Sequence, residues 1–177
     1  MMDVLRHVHR DATVRECLAA ALHISRKEPL CREVERSADV LVLEKTTPIE
    51  PGLSKTLGIP TAITYLEKWH IGMAETFLVN ASMSAGAFTL QIGSHYSATA
   101  DGGVTVQSKV HLVGLESLPL MRSMFETYVK CEFAARRNRE ACRIVRARAQ
   151  AKRDAVIAAP EPQLAAAPST PPQPVAE

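Results

Sequence analysis

The chain is poor in aromatic residues, which make up 5% of its 177 positions. A core must therefore be built mainly from Leu, Val, Ile, Met and Ala. No run of about 18 apolar residues occurs, which argues against a membrane-spanning helix. The first eleven residues lack the apolar stretch of a secretory signal, and Asp3 and Asp11 count against an Arg-rich organelle presequence. The length and the 46% hydrophobic share are typical of one globular domain with a tail.

Motifs for nucleotide, metal and nucleophile chemistry are also missing. The sequence contains no G-x-G-x-x-G or G-x-x-x-x-G-K-[ST] loop, no H-E-x-x-H pair and no G-x-S-x-G turn. The six histidines are scattered, and no two cysteines form a C-x-x-C pair. We therefore expect no metal site and no cofactor, and we do not expect an enzyme. All four cysteines are expected to be free thiols: Cys17, Cys31, Cys131 and Cys142.

Segments typical of strands fill the middle of the chain, with helices at its two ends. Strands are predicted over 4–9, 38–45, 62–71, 75–83, 88–96 and 104–113. Helices are predicted over 14–22 after an N-cap near Thr13, between Pro51 and Gly58, and over 114–149. The links between the later strands are short, and Asp101-Gly102 favours a hairpin turn. Short links require antiparallel neighbours, so the prediction is an α+β fold with an antiparallel meander and a long C-terminal helix.

The long helix carries a stripe of small and soft residues at three- and four-residue steps. Two interpretations fit this stripe: close packing of the helix on the sheet, or the wall of a cavity. The residues of the stripe are Met121, Met124, Tyr128, Cys131, Ala135, Asn138, Cys142, Val145 and Ala149.

Positive charge is concentrated on the same helix. Residues 130–153 hold nine Lys or Arg and two Glu, a net +7, so the rest of the chain carries 2 − 7 = −5. Such an asymmetry favours an anionic partner near the helix, although a solvated face explains it equally well. Guanidinium groups bind phosphate in a bidentate manner, so five arginines of this helix are candidate ligands of a phosphate: Arg136, Arg137, Arg139, Arg143 and Arg146. Arg143 lies one turn from both Arg139 and Arg146, so these three can converge. No aromatic residues alternate with these arginines, so nucleic acid is not expected.

Four segments in this order resemble landmarks of the PRELI-like lipid-transfer family of the mitochondrial intermembrane space, a branch of the START-like helix-grip folds. They are IEPGLSKTLG over 49–58, YLE over 65–67, VNASM over 79–83 and AARRNREAC over 134–142. The likeness covers about residues 4–145. The chain departs from the family at RKEP over 26–29, and at Asn138, where the family has Gly.

The resemblance implies a helix-grip domain over residues 1–153 that carries a phospholipid between membranes, with phosphatidic acid or a similar anionic lipid as cargo. A disordered Ala/Pro-rich tail is predicted over 154–177. The resemblance also implies transient membrane contact, a small helical partner protein, and location in the intermembrane space, or otherwise the cytoplasm. A lid would be formed by Leu53, Lys55 and Leu57. The candidate ligand-binding residues are Arg26, Lys27, Met124, Tyr128, Lys130, Cys131, Arg136, Arg137 and Arg139.

Two other functions remain open from the sequence. A helix-grip enzyme of the cyclase or hydrolase type would use Glu67 or His95 inside a cavity. A basic interaction module would bind RNA or an acidic protein through solvated arginines with no cavity beneath them.

Overall fold

A computed structural model describes residues 2–86, 88–114 and 119–158 of the chain. Seven strands and three helices follow each other in these residues. They are β1 (Met2–Arg10), α1 (Val14–Lys27), β2 (Cys31–Arg36), β3 (Val40–Pro48), α2 (Pro51–Leu57), β4 (Ala62–His70), β5 (Thr76–Ala85), β6 (Phe88–Thr99), β7 (Gly103–Val113) and α3 (Pro119–Ala158).

The seven strands form one curved antiparallel sheet in the order β1-β7-β6-β5-β4-β3-β2. Strands β2 to β7 are a meander, and β1 joins its far edge by pairing with β7. Gly102 has a φ of 74° in the β6–β7 turn, as the Asp-Gly pair predicts. The predicted α+β architecture with an antiparallel sheet and a long terminal helix is confirmed.

The N-terminal helix α1 begins where the sequence indicates. The Thr13 hydroxyl accepts a hydrogen bond from the Glu16 amide, and the Glu16 carboxylate accepts one from the Thr13 amide, which together form a capping box. Buried Cys17, Ala20 and Ala21 attach the helix to a core that includes Leu41 and Trp69. The helix continues to Lys27, five residues beyond its predicted end.

Strand β2 was not predicted, because its sequence CREVER carries no apolar alternation. Five of its six residues are exposed, so burial does not hold it in the sheet. Instead it pairs with β3, and surface ion pairs flank it, including Arg32 to Glu44 at 2.6 Å and Arg26 to Glu33 at 2.7 Å.

The inward face of α3 differs from the predicted apolar stripe. Its buried residues are Val129, Phe133, Arg137, Glu140 and Ile144. Most of the predicted stripe is exposed: Met124, Tyr128, Cys131, Asn138, Cys142, Val145 and Ala149. The predicted stripe does not coincide with the buried face of α3. That face includes two charged residues, Arg137 and Glu140, which a hydrophobic period cannot detect.

The structure bears on the predicted lid segment and on the predicted end of the domain. The lid segment contains the helix α2, which ends before Gly58 at a φ of 63°. At the other end α3 continues to Ala158, past the predicted boundary at residue 153. The remainder of the predicted tail, 159–177, lies outside the described residues. No helix among the described residues is long and apolar enough to cross a membrane.

Candidate functional site

A cavity of about 820 Å³ lies between the sheet and the N-terminal half of α3. Its walls are mostly apolar, because alternate residues of β4, β5 and β6 point to the same face of the sheet. Val79, Ala81 and Met83 on β5 and Leu90 and Ile92 on β6 show this alternation. From the helix side the walls include Met124, Phe125, Tyr128, Val129 and Phe133.

The segment around α2 forms another part of the cavity wall. Thr47, Pro48, Ile49, Glu50 and Ile59 line the cavity on both sides of this short helix. The Ser54 hydroxyl donates to the Ile59 carbonyl at 2.6 Å, which ties the turn after the helix to its body. The segment is therefore placed to act as a cover.

One part of the cavity wall is highly polar. Buried Lys45 forms ion pairs with Glu67 and, at 2.9 Å, with Glu28. Arg136 donates to the Ser25 hydroxyl at 2.7 Å, and its guanidinium lies 3.5 Å from a carboxylate oxygen of Glu67. Charges of both signs thus meet where the end of α1, strands β3 and β4, and α3 come together.

Beside these residues, the Glu140 carboxylate accepts hydrogen bonds from three residues. Arg137 Nη1 lies 2.7 Å from both of its oxygens, the Tyr96 hydroxyl donates at 2.9 Å, and His9 Nε2 lies at 3.3 Å. Arg137 also donates to the Ser94 hydroxyl at 3.2 Å. We call the set Glu28, Lys45, Glu67, Arg136, Arg137 and Glu140 the ion network.

The ion network is balanced in charge, with three cations and three carboxylates. Burial alone would raise the pKa of Glu140, but His9 and the charges of Arg137 and Arg136 outweigh it and hold that pKa below its ordinary value. Burial likewise works against the charge of Arg136, yet Glu67, Glu140 and Glu28 raise its pKa. The neighbouring opposite charges thus keep Glu140 and Arg136 ionised although both are largely removed from water.

Five of the predicted ligand-binding residues line the cavity: Met124, Tyr128, Arg136, Arg137 and Arg139. Met124 and Tyr128 are mostly exposed and lie at its opening. Arg139 is half-exposed, and its only ion pair among the described residues is a 3.7 Å contact with Glu132. Arg137 is 1% exposed and bound by Glu140, so it is not the free group that the sequence suggested.

The other four predicted ligand-binding residues do not line this cavity. Lys130 and Cys131 are exposed on the outer side of α3, and Arg26 is paired with Glu33 on the surface. Lys27 is exposed near the end of α1. Of the lid residues, Lys55 is exposed on α2, while the side chains of Leu53 and Leu57 lie outside the described part of the chain.

Sequence reasoning missed several residues of the site. Ser25, Lys45 and Glu140 were not singled out, because each is an ordinary polar residue until the fold assigns it a partner. Val129 and Phe133 were missed together with the true inward face of α3. Their spacing of four residues, repeated from Phe125, was the available signal.

The two residues considered for an enzyme occupy different places. His95 is exposed on the outer face of β6 and bonds to the Thr76 hydroxyl at 2.7 Å, so its prediction inside the cavity was wrong. Glu67 does line the cavity, but its carboxylate is bound by Lys45, Ser25 and Arg136. No group of three or more His, Cys, Asp or Glu side chains in the described residues is placed to hold a metal ion.

Comparison with solved structures supports the architecture. The chain is similar to the crystal structure of human STARD10, with a TM-score of 0.53 and 11% sequence identity over 88% of this chain and 70% of that one. The fold is accordingly START-like and of the helix-grip type. No protein-family model matches the chain, and no curated protein matches it in sequence. Membership of the PRELI-like family stays a prediction.

Proposed function

We propose that this protein binds a phospholipid in the cavity and transfers it between membranes, and that it is a carrier and not an enzyme. The observation that carries the proposal is the cavity itself, which has mostly apolar walls and one polar region. Its volume of about 820 Å³ lies in the range of known ligand sites, about 300–1,000 Å³. Apolar walls suit acyl chains, since burial of apolar surface is the main source of affinity for such chains.

Different side chains of the cavity would contact the acyl chains and the head group of the lipid. Val79, Ala81, Leu90 and Ile92 would contact acyl chains, because they offer no polar atoms. The ion network is charge-balanced, so it offers donors and acceptors to polar ester groups without attracting an anion strongly. An anionic head group, such as that of phosphatidic acid, would therefore be recognised at the rim by Arg139, whose charge is the least compensated of the cavity arginines.

Entry of the lipid would take place at the opening beside Met124 and Tyr128. These two side chains are exposed and border the cavity, as do residues on both sides of α2, and exposed apolar groups of this kind suit transient contact with a membrane surface. A small helical partner protein and location in the intermembrane space are proposed on the sequence resemblance to the PRELI-like family.

Lipid capture tests the proposal directly. The purified chain is incubated with vesicles of phosphatidylcholine and phosphatidic acid, re-isolated, and examined by native mass spectrometry. We expect one bound phospholipid. Ala81→Trp should abolish the complex, because the indole would occupy the cavity. Ser82→Trp is the matched control, since Ser82 is exposed on the opposite face of the same strand. Lipid retention by Ala81→Trp, or no capture by the wild type, would contradict the proposal.

A second experiment tests the preference for an anionic lipid by comparing the transfer of phosphatidic acid with that of phosphatidylcholine. Arg139→Gln should reduce transfer of phosphatidic acid while leaving transfer of phosphatidylcholine within about twofold. Arg153→Gln removes the same charge from an exposed position near the end of α3 and serves as control. An equal loss from both variants would indicate diffuse attraction to the vesicle surface, which salt screens over about 8 Å.

A further inference from the structure

A second concavity lies between α1 and α3, beside the ligand cavity. Its volume is about 430 Å³, and it shares Arg139 with the cavity. Arg143, one of its lining residues, is 15 residues beyond Tyr128, which corresponds to about 22 Å along the helix axis. The concavity therefore meets the ligand cavity at Arg139 and extends away from the opening beside Tyr128. Its lining residues are His23, Ile24, Lys27, Asn138, Arg139, Cys142, Arg143 and Arg146, and we call it the basic groove.

Half of the residues that line the basic groove are cationic, and none is acidic. Lys27, Arg143 and Arg146 form no ion pair and no side-chain hydrogen bond with any residue in the described ranges. By contrast, the surface arginine Arg148 lies 2.6 Å from a Glu16 oxygen. Lys27, Arg143 and Arg146 thus keep their donors available, although acidic residues partner arginines elsewhere on this surface.

Packing of α1 against α3 holds these cations together despite their mutual repulsion. The charges of two of them also act on His23, whose pKa is lowered by burial first and then by Arg143 and Lys27. A bound anion would relieve this repulsion. The arrangement therefore favours a ligand with concentrated negative charge over a neutral one.

We propose that the basic groove binds a phosphate monoester. Two guanidinium groups and an ammonium match the three oxygens of a phosphoryl group, since guanidinium binds phosphate in a bidentate manner and ammonium acts as a point charge. Asn138 and His23 add polar groups to the same surface. The groove has no Phe, Tyr or Trp among its lining residues, so it lacks the stacking platform of a single-strand nucleic-acid site. A lipid head group and a soluble metabolite both provide this phosphate chemistry.

The test uses glycerol 3-phosphate as probe, titrated into the full-length chain labelled for amide NMR. We expect shifts of groove amides, and a loss of affinity of at least roughly tenfold in the Arg143→Gln/Arg146→Gln double variant, since two charged contacts are removed. The matched control is Arg10→Gln/Arg15→Gln, which removes two exposed arginines without ion pairs in the described residues. It should stay within about twofold of the wild type.

Vesicles containing phosphatidic acid distinguish the two sources of phosphate. If the groove variant also loses binding to these vesicles, the source is a lipid head group; if vesicle binding is unchanged, it is a soluble phosphate monoester. Absence of groove shifts, equal losses in groove and control variants, or tighter groove binding of an RNA oligonucleotide would overturn the proposal. The Ala81→Trp variant should retain the groove shifts, which separates this test from that of lipid capture.

Discussion

Three arginines on one helix show how position within a turn determines what a charge does. Arg136, Arg137 and Arg139 lie within four residues, yet Arg137 is 1% exposed and Arg139 is half-exposed. Each residue advances about 100° around a helix, so neighbours in sequence project in different directions. Arg137 meets Glu140 in the core, Arg136 reaches Glu67, and Arg139 stays at the rim. Buried carboxylates thus hold Arg137 and Arg136, while Arg139 keeps about half of its side chain in solvent.

Replacement of Arg137 should damage the fold, although the sequence made Arg137 only a candidate ligand of a phosphate. Arg137→Ala leaves the Glu140 carboxylate buried with fewer partners, and breaking a buried pair costs roughly 3–5 kcal/mol. Arg139→Ala should change the free energy of unfolding by less than about 0.5 kcal/mol, as for ordinary surface positions. Urea denaturation measures both. Similar stabilities for the two variants would show that the ion network contributes little to the fold.

At the scale of elements, the α2 segment and strand β7 differ most clearly in how far they are paired and buried. Strand β7 is paired on both sides, by β1 and by β6, and Val104, Val106 and Val110 are buried. Helix α2 has seven residues, and its described side chains are exposed apart from Ser54. A segment that covers a cavity must open to admit a ligand, and short exposed helices open at low free-energy cost.

We therefore expect amide hydrogens in Pro51–Leu57 to exchange much faster than those in Gly103–Val113. Hydrogen exchange read by mass spectrometry provides the comparison. Binding of phospholipid should slow exchange in α2 while leaving β7 unchanged, because only α2 contributes to the cover. Protection of α2 equal to that of β7 in the lipid-free protein would rule out its opening as a gate.

A second element-scale prediction concerns the contact between the two long helices. Arg148 on α3 binds both carboxylate oxygens of Glu16 on α1, at 2.6 and 2.7 Å, and the hydrogen bond from Arg148 lowers the pKa of Glu16 to about 2. Glu16→Gln should make the unfolding free energy less dependent on pH between about 4.5 and about 2. Glu132→Gln is the control, because its contact with Arg139 is long, at 3.7 Å. Identical acid profiles for Glu16→Gln and the wild type would refute this coupling.

For the whole molecule, the ion network joins parts of the chain that are distant in sequence. Its members Arg137 and Glu140 lie on α3, and Glu140 is bonded in turn by His9 on β1 and by Tyr96 on β6. Glu140 contributes to the stability of this network only while it is ionised, since a protonated carboxyl no longer compensates the buried Arg137.

Stability of the whole domain should consequently fall in acid. The pKa of Glu140 is lower in the folded protein than its ordinary value of 4.5, so its contribution is present above pH 4.5 and is lost as the pH falls through the folded value. We expect the urea midpoint to be constant from neutral pH to about pH 5 and to decrease below it. In Glu140→Gln this decrease should be smaller, from a lower starting stability. An acid profile unchanged by that replacement would show that other groups control acid unfolding.

Apart from strand β2, the order of elements and the fold class were determined by the sequence itself. Alternation marked the central strands, Asp101-Gly102 marked a hairpin, and Thr13 marked the start of α1, because each depends on local backbone and side-chain preferences. Strand β2 was beyond such reasoning, since it is held by pairing with β3 and not by an apolar face. The candidate carrier function came from an ordered set of short motifs, and the START-like fold agrees with it at the level of architecture.

Only the tertiary structure decided which face of α3 points inward and what its charges contact. A hydrophobic period could not identify that face, because Arg137 and Glu140 belong to it and become compatible with burial only when His9, Ser94 and Tyr96 are brought to them. The tertiary structure also decided the position of Met124 and Tyr128. They line a cavity while remaining exposed, because that part of the helix faces a space and not a packed core. The basic groove also forms only where α1 and α3, which are distant in sequence, meet in the fold. A count of charges along α3 alone cannot show which residues of α1 lie beside them.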